Sequence, residues 1–358
     1  MSEPAISSYP LSEGMFAPMN QWYVAAWSSE VTRSPFERMI LDKPVAFYRQ
    51  LDGTPVALDG RCPHRSFPLG HGRVVEDNLQ CGYHGLTFRP DGSCARIPSQ
   101  DHVPKTCRVH AFPLVERWKW IWIWPGDPAL ADESLIPDHH AIGLTDPDFE
   151  NAGDIYHFVP GRFMLLHDNL FDLTHLGYLH QDTFGKGAEA DQVPEYASGP
   201  DWIESRFIQT DIACPPFFAA MIGDQGQVTR SFGLRLHMPC LHVGGEDLFA
   251  AGDDPASATP TARFRVYHAV TPATRTTTHY FWATGHDWHG PDQARAADIA
   301  EGLQPALRED ADAAALVEEM IAKTGGRPSE LLLRADNVCV LGRRLFEKYI
   351  RDEQAVDA

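Results

Sequence analysis

The sequence lacks long hydrophobic runs and is poor in basic residues. Its 358 residues include 30 Lys and Arg against 49 Asp and Glu, so the formal net charge is −19. Nucleic acid and anionic membrane surfaces repel so acidic a chain. The longest aromatic and aliphatic stretch, Trp118 to Trp124, includes a lysine and falls far short of the roughly 18 apolar residues of a membrane span. The sequence therefore predicts neither a nucleic-acid partner nor a membrane.

Cysteine is also scarce. The seven cysteines are odd in number and scattered, which does not resemble a disulfide framework. The segment Met1 to Glu13 has no basic region followed by an apolar one, so no secretory signal is visible. We therefore expect a cytoplasmic protein, because in a reducing compartment closely spaced Cys and His hold metal more often than disulfides.

The length predicts two folded domains rather than one. Residues 1–14 are expected to form a flexible tail, and residues 15–128 to form short strands separated by turns. Residues 129–150 combine prolines with many acids, which is typical of a linker. Residues 151–358 are expected to form a second domain that mixes strands and helices. In the first domain, the alternating tryptophans of Arg117 to Trp124 predict one strand with all four rings on one face.

Two short pairs of Cys and His lie in the first predicted domain. They are Cys62-Pro63-His64 and Cys81-Gly82-Tyr83-His84, with sixteen residues between His64 and Cys81. A structural Cys₂His₂ zinc site is one interpretation, but a zinc finger has its two Cys close together and then its two His. Here each loop supplies one of each, which favours a Rieske [2Fe–2S] centre, where one iron takes two Cys and the other two His.

A second candidate metal site lies in the segment from Phe163 to His180, which reads as helical. Asp172 and His175 are three residues apart and would share one helix face. His180 follows five residues after His175, so a bend near Gly177 would be needed to turn both imidazoles toward one metal. Two His and one carboxylate on one side of Fe(II) leave positions open for dioxygen and substrate.

The carboxylate of this triad must come from elsewhere in the chain. Asp310 is our choice, in a predicted helix over residues 294–323. Asp312 is its main rival and Glu309 the next. The helix is acidic throughout, so a solvated helix face would give the same pattern.

Taken together, these motifs resemble the oxygenase (alpha) components of Rieske non-haem iron oxygenases, above all the vanillate O-demethylase type. The likeness runs from about Met15 to Glu353. The segments that carry it are Asn20 to Ala25, Cys62 to Arg65, Cys81 to Leu86, Asp168 to His180, Glu309-Asp310 and Arg343-Arg344. The resemblance implies an α+β fold, in which an N-terminal all-β Rieske [2Fe–2S] domain precedes a helix-grip (START/Bet v 1-like) catalytic domain with an antiparallel sheet.

The resemblance also implies roles for single residues. The cluster would be held by Cys62, His64, Cys81 and His84, and a mononuclear Fe(II) by His175, His180 and Asp310. It implies a homotrimer, because within one subunit the two centres would be too far apart. His84 of the partner subunit would meet Asp172, which would bond His175. Asn169 matches a family position close to the iron, whereas the alternative for Asp172 is a helix cap or N-terminal charge.

The expected function is that of a monooxygenase which demethylates a small methoxylated aromatic compound with release of formaldehyde. Dioxygen and a separate NAD(P)H-dependent reductase or ferredoxin would be required, because the sequence shows no flavin or nicotinamide motif. The alternatives within the family are N-demethylation and hydroxylation of a methyl group or a ring. Alternatives from other classes are an electron-transfer Rieske protein and a zinc-stabilised binding module.

Overall fold

The structure is a computed structural model that describes residues 7–181, 194–290, 295–325 and 328–356. Within these ranges, none of the helices is both long enough and apolar enough to cross a membrane. The chain divides into two compact units. The smaller unit contains Met19–Ile136 with Thr271–Arg275, and the larger unit contains the remaining residues.

The smaller unit is built from short antiparallel strands in three sheets. The strands are β1 (Tyr23–Trp27), β2 (Phe36–Ile40), β3 (Lys43–Arg49), β4 (Pro55–Asp59), β5 (Arg73–Val75), β6 (Asn78–Gln80), β7 (Thr87–Phe88), β8 (Cys94–Arg96), β9 (Ala111–Phe112), β10 (Leu114–Arg117) and β11 (Trp120–Ile123). The strand orders in the three sheets are β1-β11-β10, β2-β3-β4-β9 and β5-β6-β7-β8.

The tryptophan-rich segment of this unit differs from the single strand expected from its alternation. Trp118 and Lys119 form the turn between β10 and β11, and Trp118 adopts a φ of 57°. The rings of Trp118 and Trp120 both pack against Trp27, at centroid distances of 5.9 and 5.6 Å. Alternating residues do not reveal such a reversal, because the aromatic contacts that stabilise it come from a strand distant in the sequence.

The larger unit combines one seven-stranded sheet with helices. The elements are β12 (Glu150–Val159), α1 (Phe163–Phe171), α2 (Leu176–Leu179), β13 (Glu195–Ser198), β14 (Trp202–Ala213), α3 (Pro216–Ile222), β15 (Gln227–His237), β16 (Leu241–Ala250), β17 (Ala262–Thr274), β18 (Thr277–His286), α4 (Ala296–Thr324) and α5 (Asn337–Val356). The strand order in the sheet is β12-β18-β17-β16-β15-β14-β13. One all-β unit and one unit with a large antiparallel sheet and helices confirm the predicted α+β fold.

Helix α4 is the element on which the second candidate site depends. It packs against β12, β18 and α1. Leu303, Leu307 and Asp310 are buried and follow the i, i+4, i+7 spacing of one helix face. The helix ends where Gly325 adopts a left-handed φ of 72°, the usual C-terminal signal for glycine.

The described part of the expected N-terminal tail, residues 7–14, belongs to the larger unit, and several of its residues pack into it. Residues 1–6 lie outside the described residues, but Leu11 is only 2% exposed. Arg162 donates to the carbonyl oxygens of Ser7 and Tyr9 at 2.7 and 2.6 Å. The Ser12 hydroxyl donates to Glu347 at 2.8 Å. The hydrophobic residues of this N-terminal segment follow no helix or strand period, so the sequence pattern did not predict these tertiary contacts.

Candidate metal centres and active site

The two Cys–His motifs of the smaller unit form loops with the same backbone hydrogen bonds. In the first, the N–H of Cys62 donates to the carbonyl of Phe67 at 3.0 Å, and the N–H of Ser66 donates to the carbonyl of Cys62 at 2.9 Å. The second loop repeats both bonds at the same offsets, at 2.8 and 3.1 Å, with Cys81, Leu86 and Gly85. Two equivalent loops can therefore each present one thiol and one imidazole.

Each loop turns back through one residue in the left-handed conformation. Ser66 has a φ of 52° and Gly85 a φ of 74°. A Cβ atom at Gly85 would lie 3.0 Å from Cγ of Pro98. Glycine at this position thus avoids both the backbone strain and a close contact with Pro98.

The four predicted cluster ligands divide into a buried and an exposed pair. Cys62 and Cys81 are each 2% exposed and belong to the core of the unit. His64 and His84 are exposed, with ring centroids 4.5 Å apart. Burial, with a contribution from the neighbouring Cys81, raises the pKa of Cys62 to about 11. Such a thiol becomes a thiolate when a bound metal supplies compensating charge, so the donor set fits an iron–sulfur cluster.

Sequence reasoning overlooked the aromatic residue inside the second motif. The ring of Tyr83 lies 3.9 Å from that of His84, and its side chain is 59% exposed. The ring of Phe67, from the first loop, also packs against Tyr83, at a centroid distance of 5.7 Å. Tyr83 therefore covers part of the exposed imidazole. Its position directly before His84 was the available signal.

The segment around the second site is not one continuous helix, which corrects the expectation for Phe163 to His180. Helix α1 ends at Phe171, and Asp172 leaves the helical region with φ −88° and ψ 85°. A short 3₁₀ turn and α2 follow. The bend therefore lies at Asp172 rather than near Gly177. Its physical reason is the Asp172 carboxylate, which accepts from the N–H of Thr174 at 3.0 Å and so competes with the helix.

His175, His180 and Asp310 come together after this bend. Their potential ligand atoms all lie within 4.8 Å of one another. Nε2 of His180 is 3.0 Å and Nε2 of His175 is 3.3 Å from the same oxygen, Oδ1 of Asp310. The side chains of His180 and Asp310 are 1% and 4% exposed. Two imidazoles and one buried carboxylate aimed at one point fit a single Fe(II) ion.

The rings of both histidines are oriented by acceptors on their far sides. Nδ1 of His180 donates to Oε2 of Glu309 at 2.7 Å, and Nδ1 of His175 donates to the backbone carbonyl of Asp172. Both bonds turn Nε2 toward Asp310, where a bound metal would replace the proton at Nε2. Burial opposes ionisation of Asp310, but hydrogen bonds from the two histidines outweigh it and lower the pKa of this carboxyl.

The rival carboxylates occupy different positions. Glu309 lies behind His180, on the side of the ring opposite to Asp310. Asp312, the other rival, is exposed. The acidic helix therefore presents one carboxylate to both Nε2 atoms, and that carboxylate belongs to Asp310.

The roles that the resemblance implies for Asp172 and Asn169 stay predictions, and the structure shows the following contacts. The carboxylate of Asp172 accepts from the backbone and hydroxyl of Thr174, at 3.0 and 2.5 Å. Its contact with His175 runs through the backbone carbonyl instead. Oδ1 of Asn169 is buried and has no hydrogen-bond partner within the described ranges. Asn169 is also absent from the described lining of the cavity beside the triad.

A cavity of about 420 Å³ lies beside the triad in the larger unit. Part of its lining comes from strands β15, β16 and β17 of the sheet, and another part comes from helices α1, α2 and α4. The lining is largely apolar, and consists of Leu170, Leu173, Leu176, Pro215, Pro216, Phe232, Gly233, Leu234, Gly244, Gly245, Phe264, Val266, Leu303 and Leu307, together with His175, His180, Arg230, Glu246, His268 and Asp310.

Polar groups lie in the sheet wall of this cavity. Arg230 and Glu246 form an ion pair, with Nε–Oε2 and Nη2–Oε1 distances of 2.7 and 2.5 Å. Nδ1 of His268 is hydrogen bonded to the hydroxyl of Tyr280 at 2.6 Å. Burial lowers the pKa of His268 to about 4, so this imidazole is neutral at pH 7. No local sequence motif marks Arg230 or His268 as a cavity residue.

Comparisons with known proteins match both units. Residues 21–112 match the Rieske [2Fe-2S] domain, and residues 159–352 match the vanillate O-demethylase oxygenase C-terminal domain. The iron–sulfur subunit of a toluene-4-sulfonate monooxygenase system from Comamonas testosteroni is 31% identical over 93% of this chain and 97% of its own. A vanillate O-demethylase oxygenase subunit from a Pseudomonas species is 32% identical over 95% and 97%.

A solved structure is similar over nearly the whole chain. The crystal structure of dicamba monooxygenase with non-haem iron and dicamba has a TM-score of 0.73 and 30% identity, and covers 94% of this chain and 98% of that one. The chain belongs to the Rieske non-haem iron oxygenases and is an oxygenase component. Within that family it is a non-haem iron monooxygenase of the vanillate O-demethylase type, whose cofactors are a Rieske [2Fe–2S] cluster and a mononuclear iron.

Proposed function

We propose that this enzyme demethylates a methoxylated aromatic compound and releases formaldehyde. The observation that carries the proposal is the triad of His175, His180 and Asp310 at one side of an apolar cavity large enough for a small aromatic molecule. Two relatives bear on the reaction class, since one is named a vanillate O-demethylase and the dicamba enzyme is named a monooxygenase.

We assign the cluster to Cys62, His64, Cys81 and His84, and the Fe(II) to His175, His180 and Asp310. When bound, the cluster supplies single electrons and the mononuclear iron supplies activation of dioxygen toward a C–H bond. The protein contributes oriented imidazoles, a buried carboxylate and an apolar cavity that limits water around the reacting carbon.

The overall chemistry balances with two electrons and two protons. One atom of dioxygen enters the methyl C–H bond and the other leaves as water. The resulting hemiacetal has a hydroxyl and an aryloxy group on one carbon. The bond between that carbon and the aryl oxygen breaks, the hydroxyl proton passes to the aryl oxygen, and the products are a phenol and formaldehyde.

The electrons are proposed to come from a separate NAD(P)H-dependent reductase or ferredoxin. The exposed imidazole of His64 supports a surface site where such a partner delivers them. We further propose a homotrimer, in which His84 of the partner subunit approaches Asp172. Action in the cytoplasm also remains a prediction.

Hydroxylation of an aromatic methyl group is the second candidate. The relative named for a toluene-4-sulfonate monooxygenase system favours it. The same triad and cavity would serve this reaction, but the alcohol formed has no second oxygen on its carbon and is therefore stable. Release of formaldehyde separates the two functions.

The test uses the full chain loaded with cluster and Fe(II), a generic reductase, NADH and a set of methoxylated aromatics that also carry a methyl group on the ring. One formaldehyde formed per dioxygen consumed is the expected result. The matched control is Asp310→Ala, which should retain the cluster absorbance and form no product. Oxygen consumption with a hydroxymethyl product and no formaldehyde would assign the protein to the second candidate.

A further inference from the structure

The wall of the cavity contains two opposite charges side by side. Arg230 and Phe232 alternate on β15, so both face the cavity, and Phe232 pairs with Glu246 on β16 in the antiparallel register. Arg230 is thus the diagonal neighbour of Glu246, a separation that long side chains span. The pair forms two parallel N–H to oxygen bonds, the strongest geometry available to arginine and carboxylate.

Further contacts hold the guanidinium in place. Its carbon lies 3.8 Å from the centroid of the Phe232 ring, within the range of a cation–π contact. Nη1 also donates to Oε1 of Gln209 at 3.2 Å. The side chains of Arg230 and Glu246 are only 12% and 20% exposed, so solvent screens their charges weakly.

Glu246 therefore neutralises the positive charge of Arg230 at the position where an anionic substrate group would need it. A carboxylate that approached this guanidinium would meet the negative charge of Glu246 at the same place. It would have to compete for donors that are already engaged, and it would lose its own hydration on entry to an apolar cavity. The neutral imidazole of His268 offers no compensating positive charge.

We propose that the Arg230–Glu246 pair makes this cavity select uncharged aromatic substrates and disfavour aromatic carboxylates. The N–H donors of Arg230 and the carboxylate oxygens of Glu246 lie next to each other, which suits a dipolar neutral group such as an amide, aldehyde or hydroxyl. The inference rests on the proposed function only in taking this cavity as the substrate site, and it specifies the substrate class of that site.

The test compares the binding of 3-methoxybenzamide with that of 3-methoxybenzoate, which have similar shapes and differ in charge. Calorimetric titration of the metal-loaded full chain gives both dissociation constants. The wild type should bind the amide at least about tenfold more tightly. Glu246→Gln retains the side-chain shape and removes the negative charge, so the ratio should shift at least about tenfold toward the benzoate.

For a second variant we expect the ratio of the two dissociation constants to shift in the opposite direction. Arg230→Gln leaves Glu246 without its cation, so the ratio should move further toward the amide. The matched control is Glu204→Gln. Glu204 is also an arginine-paired glutamate of the same sheet: its Oε2 lies 2.7 and 2.5 Å from Nε and Nη2 of Arg235, and its Oε1 lies 2.5 Å from Nη2 of Arg206. None of these residues lines the cavity as described. This control should leave the ratio unchanged.

The proposal is overturned by a wild type that binds the benzoate as tightly as the amide or more tightly. It is overturned equally if Glu246→Gln shifts the ratio no more than Glu204→Gln does, or if that variant binds neither probe. Since the readout is binding and not product, a lack of formaldehyde would count against the demethylase proposal and leave this selectivity standing.

Discussion

Glu309 accepts a hydrogen bond from Nδ1 of His180 at 2.7 Å, while Oδ1 of the adjacent Asp310 lies 3.0 Å from Nε2 of the same ring. Successive residues of α4 therefore hold opposite edges of one imidazole. A carboxylate behind a histidine fixes its tautomer and increases its strength as a ligand. We interpret Glu309 as a positioning residue for the mononuclear iron.

Replacement of Glu309 by Ala should weaken binding of the mononuclear iron by about 10- to 100-fold, the usual effect of losing the partner of a metal-ligating histidine. Titration of Fe(II) into metal-depleted protein measures it. Asp312→Ala is the matched control, since Asp312 is exposed on the same helix, and it should bind iron normally. Undiminished iron affinity in Glu309→Ala would exclude the positioning role.

Asp172 has two candidate roles, which two substitutions separate. Asn at this position can still accept from the N–H of Thr174 but carries no charge. If the carboxylate links the centres across a subunit interface, both Asp172→Asn and Asp172→Ala should lose about 100-fold in reductase-driven turnover while they retain both metals. If Asp172 serves only as a cap, Asp172→Asn should turn over normally, and Asp172→Ala should lose about 1 kcal/mol of stability.

Gly85 allows the second cluster loop to close. Substitution by Ala places a side chain at a φ of 74° and 3.0 Å from Pro98. The left-handed strain alone is about 1–2 kcal/mol, which corresponds to roughly 5- to 30-fold weaker retention of the closed loop. We expect purified Gly85→Ala to contain less iron and sulfide per chain, with weaker visible absorbance.

Gly53→Ala provides the control for backbone strain. Gly53 has a φ of 91°, but a Cβ there would meet nothing within 4 Å. This variant should carry similar strain and retain its full cluster content. Equal cluster loss in both variants would show that strain anywhere in the unit, rather than closure of this loop, limits retention.

Two buried histidines predict a fall in stability at mildly acidic pH. Nδ1 of His167 lies 2.6 Å from Nε2 of His242, and both side chains are fully buried. Burial lowers the pKa of His167 to about 3; burial and the neighbouring histidines lower that of His242. Between pH 6.5 and about 3 the unfolded chain binds more protons, so stability present above pH 6.5 is lost as the pH falls.

Each such histidine contributes a slope of about 1.4 kcal/mol per pH unit. The midpoint of urea unfolding at pH 7.5, 6.5 and 5.5 measures the trend. His242→Gln should reduce the slope, whereas replacement of the exposed His102 by Gln should leave it unchanged. A midpoint that stays constant from pH 7.5 to 5.5 would contradict the prediction.

Local motifs carried much of the functional interpretation. Cys62 and His64 lie within one loop, as do Cys81 and His84, so residue type and spacing alone indicated the cluster. The resemblance to Rieske oxygenases followed from these motifs, and the comparisons confirm it. The similarity of the two loops could be predicted without knowledge of the fold, because each loop is formed by the same short-range hydrogen bonds.

Long-range packing decided the remainder. Glu309, Asp310 and Asp312 are similar in sequence and differ in their angle around α4, so only the packing of that helix determines which carboxylate faces both histidines. The charge balance of the cavity likewise depends on the register of β15 against β16, which places Glu246 beside Arg230. The sequence by itself determined the protein class and its cofactors, because those depend on contiguous motifs. The tertiary structure alone decided the orientation of each ligand and the polarity of the cavity, because these arise from contacts between distant segments.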